Sequence, residues 1–274
     1  MAAYAVINIE WIEEISMSEG MVISEERTTE ENVVCKTGID ELDVQLDGGI
    51  PVGNTVLMVG SSGSGKTTLC MQFLANGARQ GERGVFFTIT EPLFKLTKNM
   101  QGFDFYDKKL IESGMINLID LRIISERLGL DAEKYTVEDA SALLEVLKDI
   151  ADELNVKRLV VDSITALCYR LQTKEMIRDF IFKLGSSLAA MNCTTFLTSE
   201  VPPNEVKYSQ YDIEEFIADG IILLGDVDRS GDLIRTLQLI KMRGTAHSRI
   251  KSAMSISSKN GIELTPLLKS RARN

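Results

Sequence analysis

Nine residues, "GSSGSGKTT" (60–68), carry the densest chemical signal in the chain. Gly60, Gly65, Lys66 and Thr67 fit the spacing G-x-x-x-x-G-K-[ST]. That spacing suits a polyphosphate for a physical reason. Small residues let successive backbone N–H groups curl around phosphate oxygens, and a helix opening directly behind them adds the positive end of its dipole. Gly60, Ser61, Ser62, Gly63, Ser64, Gly65, Lys66, Thr67 and Thr68 are therefore the expected cradle of a nucleoside triphosphate. Lys66 is expected to neutralise charge on the β- and γ-phosphates, and the Thr67 hydroxyl to ligate Mg2+.

A metal in that position calls for an acid at the tip of another strand. Asp162 supplies it, closing the apolar run in "RLVVDSITAL" (158–167), with the expected role of holding Mg2+ through water. Hydrolysis also needs a group that orients and polarises water. Glu91, just past the buried run in "FFTITEPLF" and beside Pro92, is the candidate. Its competing role is to complement the dipole of the helix that starts there.

A second cluster lies far along the chain. "KMRGTAH" (241–247) gathers Lys241, Arg243 and the sole histidine, His247. Between Asp232 and Glu263 there are six lysines and arginines and no acid, a local anion-binding surface in an acidic chain. Strand alternation would put Leu237, Leu239, Lys241 and Arg243 on one face, leucines in the core and cations beyond it. A solvated strand end and a nucleic-acid contact are the other two readings.

The elements that must position these residues follow from hydrophobic pattern. "NTVLMVG" (54–60), "GVFFTIT" (84–90), "MINLIDL" (115–121), "KRLVVDS" (157–163) and "CTTFLTS" (193–199) read as buried strands. Amphipathic helices separate them. One has Thr136 as N-cap and Asp139 three residues on; another spans "TKEMIRDFIFKLGSSLAAMN" (173–192). Strands alternating with helices predict an α/β fold with a mostly parallel sheet, so that Glu91, Asp162 and the loop at 60–68 share one sheet edge. After residue 220 the runs shorten and turn residues separate them, which predicts an antiparallel C-terminal extension.

Bulk properties set the frame. The net charge of −10 is concentrated in residues 1–31, where eight glutamates face one arginine. This segment reads as an acidic arm, residues 32–265 as one domain, and 266–274 ("PLLKSRARN") as a basic tail. The four cysteines form no CxxC pair, which excludes the usual zinc spacings and suggests reduced thiols. With neither a secretory signal nor an apolar run of membrane-spanning length, a cytoplasmic protein with no membrane partner is expected.

In this order the pieces resemble the KaiC-like branch of the RecA superfamily of ATPases. The resemblance covers roughly residues 33–265 and rests on "TGIDELDVQLDGGIPVGNTVLMVGSSGSGKTTLCMQFL" (37–74), "VVDSITAL", "LTSE" (197–200), "DGIILL" (219–224) and "KMRGTAH". It implies a RecA-like core, ATP and Mg2+, and a ring, commonly a hexamer, with ATP between adjacent copies. Lys241 and Arg243 would then act in trans on the neighbour's ATP, supported by His247. Two departures stand out. Clock-type relatives carry paired glutamates where Thr90 and Glu91 stand here. The serine and threonine that the two-domain clock protein phosphorylates align with Glu215 and Phe216, which disfavours autokinase activity.

Three functions compete at this stage. The first is a ring-forming ATPase that couples nucleotide state to conformational signalling or to a protein partner. The second is a nucleotide-gated scaffold with little hydrolysis, motivated by Thr90. The third is a RecA/RadA-like DNA-binding protein. The loop that would face DNA, "EVPPNEVKYSQYDIEEF" (200–216), carries five acids and one lysine, which makes nucleic acid an unfavourable partner.

Overall fold

The computed structural model describes residues 33–131, 133–203 and 207–267. The acidic arm at 1–31 and the basic stretch from 268 lie outside the described residues. Two short strands, β1 (Val34–Cys35) and β2 (Ile50–Pro51), pair on either side of helix α1 (Asp40–Gln45). Next come β3 (Thr55–Gly60), α2 (Lys66–Arg79), β4 (Gly84–Thr88), α3 (Leu93–Met100), α4 (Lys108–Glu112), β5 (Ile116–Asp120) and α5 (Leu121–Arg127). Then follow α6 (Val137–Glu153), β6 (Arg158–Asp162), α7 (Ile164–Cys168), α8 (Lys174–Met191), β7 (Thr194–Glu200) and α9 (Glu214–Ile217). The last four strands are β8 (Gly220–Arg229), β9 (Asp232–Met242), β10 (Ser252–Ser257) and β11 (Gly261–Pro266).

Nine strands form one sheet in the order β11-β10-β9-β8-β3-β7-β6-β4-β5. From β8 to β5 every pairing is parallel, and β9, β10 and β11 add antiparallel strands. This is the parallel core with a C-terminal antiparallel extension that the pattern predicts. Strand β3 shows why its sequence is apolar without interruption. Val56 and Met58 enter one core while Leu57 and Val59 enter the other, so both faces are covered. On the first face α2 packs Leu69 and Phe73, with Phe73 stacked on Phe196 at 4.2 Å. On the second, α6 and α8 contribute Leu143, Leu147, Phe180 and Leu184. Each such side chain stabilises the fold by about 1.5–3 kcal/mol through burial.

Local signals place the helices. The Thr136 hydroxyl accepts from Asp139 N at 3.1 Å and the Asp139 carboxylate accepts from Thr136 N at 2.8 Å, the reciprocal cap expected at the start of α6. Helix α8 starts at Thr173, whose hydroxyl accepts from Met176 N. At the head of β6, Arg158 is fully buried. Its guanidinium pairs with Glu82 and donates to the carbonyls of Lys36 and Phe73, tying β6 to α2 and to the β1 approach. All four cysteines are buried and unpaired; burial pushes the Cys70 thiol well above its ordinary range and Cys35 up to about 11.

Strand β9 departs from simple alternation. Ile221 pairs with Lys241 but Ile222 pairs with Leu239, so Ile240 is an extra residue in a β-bulge. Leu237, Leu239 and Met242 therefore line one core, while Ile240 packs against the other. The expected common face of Leu237, Leu239, Lys241 and Arg243 does not exist. The bulge turns Lys241 to the opposite side of the sheet, where its amine meets Glu215 and Ala218.

Among the described residues no helix is long and apolar enough to cross a membrane.

Candidate nucleotide site

Gly60 ends β3 and Lys66 opens α2, so five residues turn the chain between a buried strand and a buried helix. The turn is tight. A Cβ on Gly60 would lie 2.6 Å from Ser64 Oγ and 2.8 Å from the Leu224 carbonyl oxygen. Gly65, the N-cap, has φ 103°, and a Cβ there would lie 2.8 Å from Ile256 Cδ1. The first turn of α2 carries no acid and its N-cap offers no side-chain hydrogen bond, so its N–H groups face the loop with their dipole uncompensated. Ser61, Ser62, Gly63 and Ser64 line this turn, the Ser64 amide donating to Ser61 O at 3.2 Å, and Thr68 sits one residue past Thr67 in the first helical turn.

Lys66 is only 5% exposed, and its amine donates to Gly60 O at 2.8 Å and Ser61 O at 2.9 Å. Burial lowers its pKa below the usual lysine range; Glu200 and then Asp162 oppose that shift. The Thr67 hydroxyl donates to Asp162 Oδ2 at 2.7 Å, and the buried Thr198 hydroxyl donates to Asp162 Oδ1 at 2.5 Å. A hydroxyl and a carboxylate in contact, beside an anion cradle, form the oxygen donor set that suits Mg2+. No group of three or more acids, cysteines and histidines able to hold a metal occurs among the described residues.

Sheet order explains the convergence. Gly60 on β3 is the register partner of Glu200 on β7, and Asp162 on β6 is the partner of Thr88 on β4. All four strands therefore end on one edge. Glu91 belongs to that edge, three residues beyond Thr88, and the Thr88 hydroxyl donates to its carbonyl at 2.8 Å. Its carboxylate accepts from Asn99 Nδ2 at 2.7 Å, a tether from α3 that sets the direction of Glu91. Pro92 is the N-cap of α3 and not its first helical residue.

The basic cluster lies at the other end of the sheet. Val56, near the start of β3, is the partner of Gly220, and Gly220 is the partner of Met242. From Val56 to Gly60 the strand rises about 13 Å at 3.3 Å per residue. Lys241, Arg243 and His247 are thus separated by the length of a strand from the phosphate loop of their own chain. Lys241 Nζ donates to Ala218 O at 2.6 Å and Glu215 O at 3.3 Å. Arg243, 60% exposed, pairs with Asp219 at 3.2 Å. His247 Nδ1 lies 3.5 Å from Thr245 O, and its buried Nε2 has no partner among the described residues.

Residues 35–269 match the family model "ATPase: KaiC". The chain belongs to the KaiC family of ATPases. A UPF0273 protein of Methanopyrus kandleri is 34% identical over 233 residues, which are 84% of this chain and 91% of that one. The circadian clock protein KaiC3 of Synechocystis sp. is 32% identical over 232 residues, 85% of this chain but 45% of that protein. This chain therefore spans under half of KaiC3. The crystal structure of the KaiC-like protein PH0186 from Pyrococcus horikoshii superposes with a TM-score of 0.75 at 35% identity, covering 86% of this chain and 100% of that one.

Two residues of this KaiC-family site escape a motif-based reading. Glu200 reaches the phosphate edge because β7 lies between β3 and β6, and it is the first carboxylate to act on Lys66. Arg235, on β9, donates from Nε to Gly63 O at 3.3 Å and so brings a cation to the phosphate loop within the same chain. A signal for Glu200 was present: "FLTSE" ends a strand in an acid just as "LVVD" does. Arg235 is one of the six cations of the acid-free stretch after Asp232, but only the β8–β9 pairing brings it to the phosphate loop.

Proposed function

We propose that this KaiC-family chain is a Mg2+-dependent ATP-hydrolysing protein that works as a ring, commonly of six copies, with each ATP held between two adjacent copies of the chain. One observation carries the reading: the phosphate loop and the Lys241–Arg243–His247 cluster occupy opposite ends of the same sheet. A cation at the far end has no reach to its own chain's phosphates, whereas head-to-tail stacking brings it to a neighbour's. Such heterologous contacts generate rings where the rotation between copies closes and open filaments where it does not; the closed form is the one proposed here.

Roles follow from position. The loop from Gly60 to Thr68 binds the triphosphate, with Lys66 as its buried cation. Thr67 and Asp162 hold Mg2+, and Thr198 fixes the carboxylate. Bound Mg2+ would supply electrostatic neutralisation of the phosphates. Glu91, steered by Asn99, orients and polarises water. Lys241 and Arg243 stabilise charge on the neighbour's γ-phosphate, an effect worth about 10³–10⁵ in rate when an arginine is supplied across an interface in other systems. His247 braces that segment, and nucleotide state is passed to a protein partner. The five acids of the 200–216 segment argue against nucleic acid as that partner.

The second reading, a nucleotide-gated scaffold, has its own support in Thr90, exposed where clock-type relatives have a second glutamate. Phosphate release with Mg-ATP separates the two. Under the first reading Glu91→Gln and Arg243→Ala each slow release by at least about tenfold, and the mass in solution rises to that of a ring. A monomer at saturating Mg-ATP, or turnover indifferent to both substitutions, refutes it. Tight ATP binding without turnover establishes the scaffold.

A further inference from the structure

At the far end of the sheet the Asp219 carboxylate pairs with Arg243, and the role inferred for it rests on the reading just given. Asp219 lies between α9 and β8 and is 29% exposed. Its Oδ2 accepts from Thr55 N at 3.1 Å, and its own amide donates to Thr55 O at 2.7 Å. Thr55 is the first residue of β3, buried and paired with Thr195 of β7. The carboxylate is thereby fixed to a strand of the sheet that is buried along its whole length. On its other side, Oδ1 accepts from Arg243 Nη1 at 3.2 Å, and the Asp219 carbonyl accepts from Arg243 N at 2.9 Å. One residue holds Arg243 both at its backbone and at its head.

Lys241 is held beside it. Ala218, immediately before Asp219, accepts the Lys241 amine at 2.6 Å. Burial and the adjacent Arg243 lower the Lys241 pKa, and Asp219 is the first carboxylate opposing them.

Magnitudes separate a stabilising role from an orienting one. An ion pair whose arginine is 60% exposed adds little to folding. Misplacing a reacting or charge-stabilising group by 1 Å can cost about 10²-fold in rate. A guanidinium has five N–H donors, so holding Nη1 leaves the remainder to face an anion.

We propose that Asp219 is the positioning residue that aims Arg243, and with it Lys241, at the phosphate bound by the adjoining copy. The test is a double-mutant cycle in phosphate release by the full chain with Mg-ATP. Asp219→Asn keeps the side-chain shape and an acceptor for Thr55 N but removes the charge that grips Arg243. It is expected to lower kcat roughly tenfold, between the small coupling of an exposed pair and the full cost of misplacement, with KM changed less than twofold. The double variant Asp219→Asn/Arg243→Ala should be no slower than Arg243→Ala, because an absent arginine needs no aiming. A melting temperature within a few degrees of wild type shows that Asp219→Asn folds. Should Arg243→Ala slow turnover while Asp219→Asn does not, or should the two losses multiply, the proposal is overturned and the trans reading survives. If Arg243→Ala itself leaves turnover intact, the trans reading fails and takes the proposal with it.

Discussion

Thr198→Val isolates one oxygen at the candidate metal site. Valine has nearly the shape of threonine, so the fully buried position keeps its packing while the hydroxyl that donates to Asp162 Oδ1 at 2.5 Å disappears. Asp162 then keeps only the Thr67 hydroxyl among the side-chain donors described here. A hydrogen bond to a charged group contributes about 1.5–3 kcal/mol. At 1.4 kcal/mol per tenfold, that corresponds to roughly 10- to 150-fold, the range seen when groups supporting metal ligands are removed elsewhere. The assay is phosphate release as a function of Mg2+ at fixed ATP, alongside Thr198→Ser as the conservative control. The half-saturating Mg2+ concentration should rise by that factor in Thr198→Val, recover in Thr198→Ser, and leave the rate at saturating Mg2+ within about threefold. An unchanged Mg2+ dependence in Thr198→Val would refute the role given to the Thr198 hydroxyl in fixing the Asp162 carboxylate for the metal.

Two further expectations follow from charges inside the fold. Glu200→Gln removes the carboxylate that most opposes the burial-lowered pKa of Lys66, so that pKa falls further and the alkaline limb of kcat/KM moves to lower pH; a limb that stays in place or moves upward contradicts this coupling. Arg158→Ala strands the buried carbonyl of Phe73 and the part-buried carbonyl of Lys36, and Glu82, partly exposed, loses its partner. The expected loss is about 3 kcal/mol in urea unfolding, and a loss under about 1 kcal/mol would show that water replaces the guanidinium.

Much of the site is legible in the sequence because it is local. The loop from Gly60 to Thr68 is contiguous, and Thr136 with Asp139 realises its cap within a single helical turn. Asp162 and Glu91 follow apolar runs that only buried parallel strands require, so their common edge follows from the α/β pattern. What the sequence conceals depends on pairing between distant segments. The bulge at Ile240 exists only relative to Ile221 and Ile222, and no feature of "LQLIKMRG" distinguishes it from regular alternation. Glu200 gains its place because β7 inserts between β3 and β6, an order that strand composition does not encode. Asp219 is likewise mute until Thr55 and Arg243 are seen on either side of it.

Cys70 stands one turn beyond Lys66, wholly enclosed, with a thiol that burial keeps protonated. Only a thiolate attacks alkylating reagents, so this sulfur reacts only in states that bring it out of its enclosure, by movement of the helix behind the phosphate loop or by wider unfolding. The thiol is thus a built-in reporter beneath the phosphate loop. Labelling followed at Cys70 itself, apart from the three other buried cysteines, times how often that region opens.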